Sequence, residues 1–193
     1  MATATVTHPQ LVELVRELDA TTQRATRLVE SHDDRAFSAK PGPTAWSACE
    51  AIAHLTISNK HVVAEINRAL DAGDATVVPD TQRYRMDLIG TMLRWSLEPP
   101  YRIKAPTAPG FVPAGASDRR VVLADFLQEQ RAVAEVMTRA QGRNLSAIKI
   151  TSPFNSKVRY NVFAALRVIT THNRRHLWQA ERALATAGRA TVR

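Results

Sequence analysis

Cysteine is nearly absent from this sequence: Cys49 stands alone among 193 residues. No intrachain disulfide can form, which sets aside the small disulfide-stapled secreted domains. Long apolar runs are missing as well. Nothing approaches the roughly 20 consecutive apolar residues of a membrane-spanning helix, so no membrane partner is expected. The opening "MATATVTHPQLVELV" lacks the charged start, apolar centre and small-residue cleavage site of a signal peptide. A soluble cytoplasmic protein is the expectation. Acidic residues are in deficit, 18 against 26 Lys and Arg, for a formal net charge of +8. Such a balance can mark a nucleic-acid surface. Here the arginines are scattered, adjacent only at Arg119-Arg120 and Arg174-Arg175, and no basic stripe interleaves with aromatics. Nucleic acid is therefore not the expected partner.

What the chain has in quantity is helical patterning. At 45 % hydrophobic and 23 % charged residues it has the composition of an ordinary globular domain. A first helix begins at Pro9, which suits the opening helical position, and carries Leu11, Leu14, Val15, Leu18 and Leu28 at helical spacing. "HDDRAFSAKPGPTAW" breaks it. A second starts at Ser47, where "SACE" forms a capping box: each of Ser47 and Glu50 can bind the other's backbone amide. Ile52, Leu55, Val62, Ile66 and Leu70 make its apolar stripe, and Gly73 its stop. A shorter helix is expected over Gln82 to Trp95. The third long helix is predicted from Asp118 to Gln141, capped by Ser117 and stopped by Gly142, and the fourth from Ser156 to Gly188. Neither an internal repeat nor strand alternation stands out.

Between Glu98 and Ser117 five Pro and two Gly remove too many donors for a regular helix. That segment is either a linker or a loop over a site, and we expect it to cover one end of the fold near any metal. The expectation for the whole chain, residues 1–193, is one all-α domain: a four-helix bundle with one extra short helix and a long Pro-rich loop.

Chemistry is concentrated in "THNRRHLWQAERAL". Along the fourth helix an inward seam runs through Val158, Val162, Ala165, Ile169, His172, His176, Ala180 and Ala183. His172 and His176 therefore occupy core positions, where an imidazole is costly unless its nitrogens find partners. Four residues apart, their Cβ atoms lie roughly 5–6 Å from each other, so both rings can converge on one ion. A hydrogen-bonded core pair is the alternative. In the second helix His54 is the best-placed third ligand. His61 lies two turns, roughly 10 Å, further along and cannot share that ion. His8 and His32 flank the first helix as solvated terminal residues, and Cys49 reads as a small buried side chain. Glu50 is accounted for by the capping box.

"AWSACEAIAHL" followed much later by "HNRRHLWQAERAL" resembles the DinB/YfiT-like superfamily of four-helix-bundle metalloenzymes. "SPF" before the last helix and "PPYRIKAP" resemble a bacterial subgroup of it. The resemblance spans most of the chain and implies a metal triad of His54, His172 and His176. It implies no catalytic residue: Asn173, Arg174 and Arg175 fill the interval between the paired histidines, where some relatives carry a carboxylate. Three imidazoles leave one position open, the arrangement of catalytic zinc sites. A divalent metal, Zn or Ni, is the expected cofactor, with a low-molecular-weight thiol as a second candidate. Members resembling this chain include thiol-dependent S-transferases, so the implied functions are such a transferase or a metal-dependent hydrolase. The alternative is a non-enzymatic, stress-associated bundle in which the metal is structural. Arg175 and Gln179, three residues beyond His172 and His176, are candidates to bind a small-molecule substrate. A homodimer is compatible with this reading.

Overall fold

The computed structural model describes residues 6–73, 76–100, 107–113 and 118–191, the last five by backbone alone. Helices α1 (Pro9–Glu30), α2 (Asp34–Ser38), α3 (Ala48–Ala72) and α4 (Leu88–Leu97) are followed by a 3-10 turn at Pro109–Phe111. After α5 (Arg119–Ala140) come strands β1 (Lys149–Ser152) and β2 (Asn155–Asn161), and α6 (Val162–Thr191) closes the chain. The architecture is mostly helical, as the patterning implies, with one small two-stranded sheet among the described residues.

Helix direction can be read from side-chain pairs. Glu13 faces Arg167, Glu17 faces Arg174 and Arg24 faces Glu181, so α1 and α6 run parallel. Asn59 meets Gln130 and Asp71 meets Arg139, so α3 and α5 are also parallel. Thr22 contacts Gln130 while His8 contacts Gln141, which sets α1 antiparallel to α5. The bundle is thus two parallel pairs running in opposite directions. Its core is divided in two. One cluster holds Leu14, Ile66, Met137 and Ile169, the other Phe37, Ile52, Phe126 and Leu177. Between them lies a polar layer with one residue from each long helix. Gln130 Oε1 accepts from Asn59 Nδ2 at 3.1 Å and from Asn173 Nδ2 at 2.9 Å, and its own amide donates to the Thr22 hydroxyl at 3.2 Å.

The local signals act as expected at several ends. Pro9 opens α1, and both halves of the Ser47–Glu50 capping box are formed, at 2.9 and 3.1 Å. Gly142, at φ 76°, follows the end of α5 in the left-handed region that favours glycine. The expected cap Ser117 lies outside the described residues, and Asp118 takes the role by accepting from Arg120 N at 2.6 Å.

Three expectations need correction. The short helix starts at Leu88, not Gln82, because the Asp87 carboxylate caps it at Gly90 N. The preceding residues form no helix, and the Gln10 side chain binds both backbone groups of Tyr84. The last helix starts at Val162 rather than Ser156 and continues through Gly188. Residues 155–161 form β2 instead, paired antiparallel with β1 so that Ile150 lies opposite Tyr160, both buried. Asn161 ends the strand and caps the helix, its Oδ1 accepting from Ala164 N at 2.8 Å. Strands of four and seven residues are too short for their alternation to stand out beside a 30-residue helix. The short helix α2, capped by Asp33, falls in the segment read as a break.

Candidate metal centre

His54 sits early in α3, and His172 and His176 face it from α6. One ligand atom from each lies within 4.8 Å of the others. His54 and a histidine pair more than a hundred residues further along the chain therefore form a cluster that could hold a metal ion. Nε2 of His54 is 3.4 Å from Nε2 of His172, and the ring centroids are 4.5–5.1 Å apart. Nitrogens bound to a tetrahedral ion at roughly 2.0–2.1 Å would stand roughly 3.4 Å from one another, a separation the His54–His172 pair already has.

The outward nitrogens of two of the rings are already engaged. His54 Nδ1–H donates to the carbonyl of Phe111 at 2.7 Å, and His176 Nδ1–H donates to Gln179 Oε1 at 2.8 Å. Those bonds leave the Nε2 lone pairs of both rings for the cluster. Burial, the largest influence on each, holds all three imidazoles below their ordinary pKa. His172 is lowered further by His176, His54 and Arg175, and His176 is lowered to about 3, with Gln179 opposing the shift. Neutral imidazoles with converging lone pairs repel one another unless a cation or a shared proton lies between them. Their chemistry suits a divalent ion.

The surroundings give the centre its shape. Trp46, just before the α3 capping box, packs its ring 4.9 Å from His54 and 5.8 Å from His176. Phe111 is buried against Phe154 of the β1–β2 turn at 4.3 Å, which brings the carbonyl of the Pro-rich segment onto His54. Ser58, one turn beyond His54, places its hydroxyl 3.3 Å from His54 Nε2. Two cavities meet here. An inner one of about 400 Å³ runs between α3, α4, α6 and the hairpin, and an outer cleft of about 690 Å³ lies beside Trp46. Thr107, Arg175 and His176 line both. A larger cavity of about 860 Å³, lined at the starts of α1 and α6, contains none of the three histidines.

The other sequence candidates divide. Arg175 is buried at 9 % exposure, donating from Nη1 to Ser96 O at 3.1 Å, and borders both cavities. Gln179 orients His176, a role that spacing alone could not assign. His61 stands exposed outside the cluster, its ring against Phe111 at 5.0 Å. Glu50 keeps to its capping box and to Lys40 at 2.8 Å. Burial raises its pKa, but Lys40 and Ser47 outweigh that and the net shift is downward. Cys49 is buried as expected. His8 corrects its prediction: it is 2 % exposed, accepts from Gln10 N, donates from Nε2 to Gln82 O and stacks on Tyr84. His32 is half-buried and donates to Leu28 O at the end of α1. Trp46 belongs to the "AWSACEAIAHL" motif, whereas Ser58 and Phe111 are site residues that the sequence reading misses. For Ser58 a signal exists in helical phase, which puts it one turn from His54; for Phe111 none does.

Fold and site together define a helical bundle with a three-histidine centre compatible with metal binding. The chain belongs to the DinB superfamily, whose family model matches residues 17–180. No curated protein and no solved structure matches it.

Proposed function

We propose that this protein is a divalent-metal enzyme acting on small molecules, with His54, His172 and His176 as the metal ligands. The observation that carries the reading is the convergence of three neutral imidazoles where two cavities meet, with no carboxylate or thiol joining the cluster among the described residues. A closed structural site would take a fourth protein ligand, whereas a divalent ion held by three leaves a position at which it supplies Lewis acidity. Phe111 and Gln179 fix the ligand rings, and Trp46 and Phe154 pack beside them. The Ser58 hydroxyl can hydrogen-bond a group held at the centre, and Arg175 can offer its guanidinium to a substrate anion.

Zinc and nickel both suit imidazole, and protein purified without chelators or a nickel column, then analysed for metal, distinguishes them. We favour a transferase that uses a low-molecular-weight thiol, or a hydrolase. Loss of free thiol in a turnover assay points to the first, and incorporation of oxygen from labelled water to the second. The binding test comes before either. Zinc should raise the melting temperature in a concentration-dependent way, since the unfolded chain has no preformed site. His172→Ala and His176→Ala should abolish that rise while His61→Ala preserves it. A rise that persists in both ligand variants would sink the proposal.

A further inference from the structure

The two cavities that meet at the histidines differ in polarity. The inner cavity is walled by Val62, Leu93, Leu97, Phe154, Val168 and Ile169. The polar groups in its wall are largely committed elsewhere. Asn59 donates to Gln130, the Tyr160 side chain bonds Ser152, and burial pushes the Tyr160 hydroxyl up to about 12, so it stays uncharged. Away from the boundary with the outer cleft, no Asp, Glu, Lys or Arg among the described residues lines it. An ion placed there would lose its hydration and gain no counter-charge.

The outer cleft is the reverse. Arg182 and Arg175 line it beside Trp46, and among the described residues no carboxylate does. Arg182 is exposed, its guanidinium carbon 5.0 Å from the Trp178 ring centroid, and among the described residues no salt bridge joins it to a carboxylate. Arg175 marks the border, tied by Nη1 to Ser96 O of α4. At the border shared by Thr107, Arg175 and His176 the lining therefore changes from mostly apolar to cationic.

We infer that the centre seats two chemically different groups at once: an uncharged apolar group in the inner cavity, and a carboxylate- or phosphate-type anion in the outer cleft at Arg182, so that they meet at the three histidines. This rests on the small-molecule reading of the site but not on the metal, since both cavities are built by the protein alone. At about 400 Å³ the inner cavity lies toward the small end of ligand sites, which suits a group on the scale of a short aliphatic chain. The outer cleft fixes specificity by charge, the inner one by size.

The test uses metal-free protein, isotope-labelled for nuclear magnetic resonance, with inorganic phosphate and 1-hexanol as probes. Phosphate should move the Trp46 indole and Arg182 side-chain signals. Hexanol should move the Val62 and Val168 methyls, and saturating hexanol should leave phosphate affinity unchanged. Arg182→Gln should weaken phosphate roughly tenfold, the loss of one charge-assisted contact, and leave hexanol untouched. Leu97→Trp, which fills the inner cavity, should do the opposite. Competition between the probes, phosphate shifts confined to the inner methyls, or an unaltered phosphate affinity in Arg182→Gln would overturn the inference. The shifts in the unaltered protein decide the matter if Leu97→Trp does not fold. A zinc titration of the same sample reports separately on the metal, so failure of one reading leaves the other standing.

Discussion

Gln179 illustrates how much a single side chain does at this centre. Its carbonyl oxygen accepts the Nδ1 proton of His176, which fixes both the tautomer and the plane of that ring. Partners of this kind commonly contribute about 10–100-fold to metal affinity. Gln179→Ala should therefore weaken zinc binding by about that factor while leaving one ion per chain, measured by competition with a colorimetric chelator. An unchanged affinity would return Gln179 to the substrate role its spacing suggests. His54 is supported differently, by a main-chain carbonyl at Phe111, so no point substitution deletes the acceptor itself. The spacing of His172 and His176 was legible because four residues is one helical turn. The identity of the oriented nitrogens was not, since it depends on Phe111, which lies 57 positions from His54.

Between elements, the polar layer has the clearest consequence. Thr22, Asn59, Gln130 and Asn173 come from α1, α3, α5 and α6 and separate the two apolar clusters. Sliding α3, α5 or α6 by a turn would replace an amide of the layer with an apolar side chain and leave buried donors unpaired. Gln130→Leu should cost about 1–3 kcal/mol in urea unfolding, because the Asn59 and Asn173 amides lose their common acceptor. A neutral result would mean that water satisfies the layer as well as glutamine does. Close contact also governs α4, which walls the inner cavity. A Cβ on Gly90 would stand 2.2 Å from that of Ala164, so glycine allows α4 to lie against α6. Periodicity located the helices, and the capping box located the start of α3, because both are contacts within a turn or two. The hairpin and Asp87 escaped that reading. Asp87 serves α4 and also accepts from Asn161 N, a pairing visible only once β2 is in place.

For the whole molecule, the histidines couple stability to pH. In the unfolded chain the imidazoles take up protons near 6.5, whereas His172 lies well below that value in the folded protein and His176 at about 3. Between those limits the unfolded state binds more protons, so stability falls as pH drops below about 6.5 and is fully present above it. Urea unfolding of metal-free protein should show a decline from pH 7 to pH 5, a range that lies above the ordinary carboxylate values. A His172→Gln, His176→Gln double variant should show a flatter dependence. Equal slopes for the two proteins would refute the coupling. In the described residues no helix is long and apolar enough to cross a membrane, in line with the short apolar runs of the sequence.

The amino-acid sequence by itself determined the helical class, four long amphipathic segments, the α3 capping box and the inward phase of His172 and His176. Each depends on neighbours within a few residues, where backbone geometry converts spacing directly into position. Only the tertiary structure decided that His54 meets His172 across 118 positions, that His8 is buried against Tyr84, and that α6 starts after a hairpin. It alone decided that an apolar cavity and a cationic cleft meet at the imidazoles. Those distances are set by how side chains from separate elements pack, and packing depends on every surface in contact.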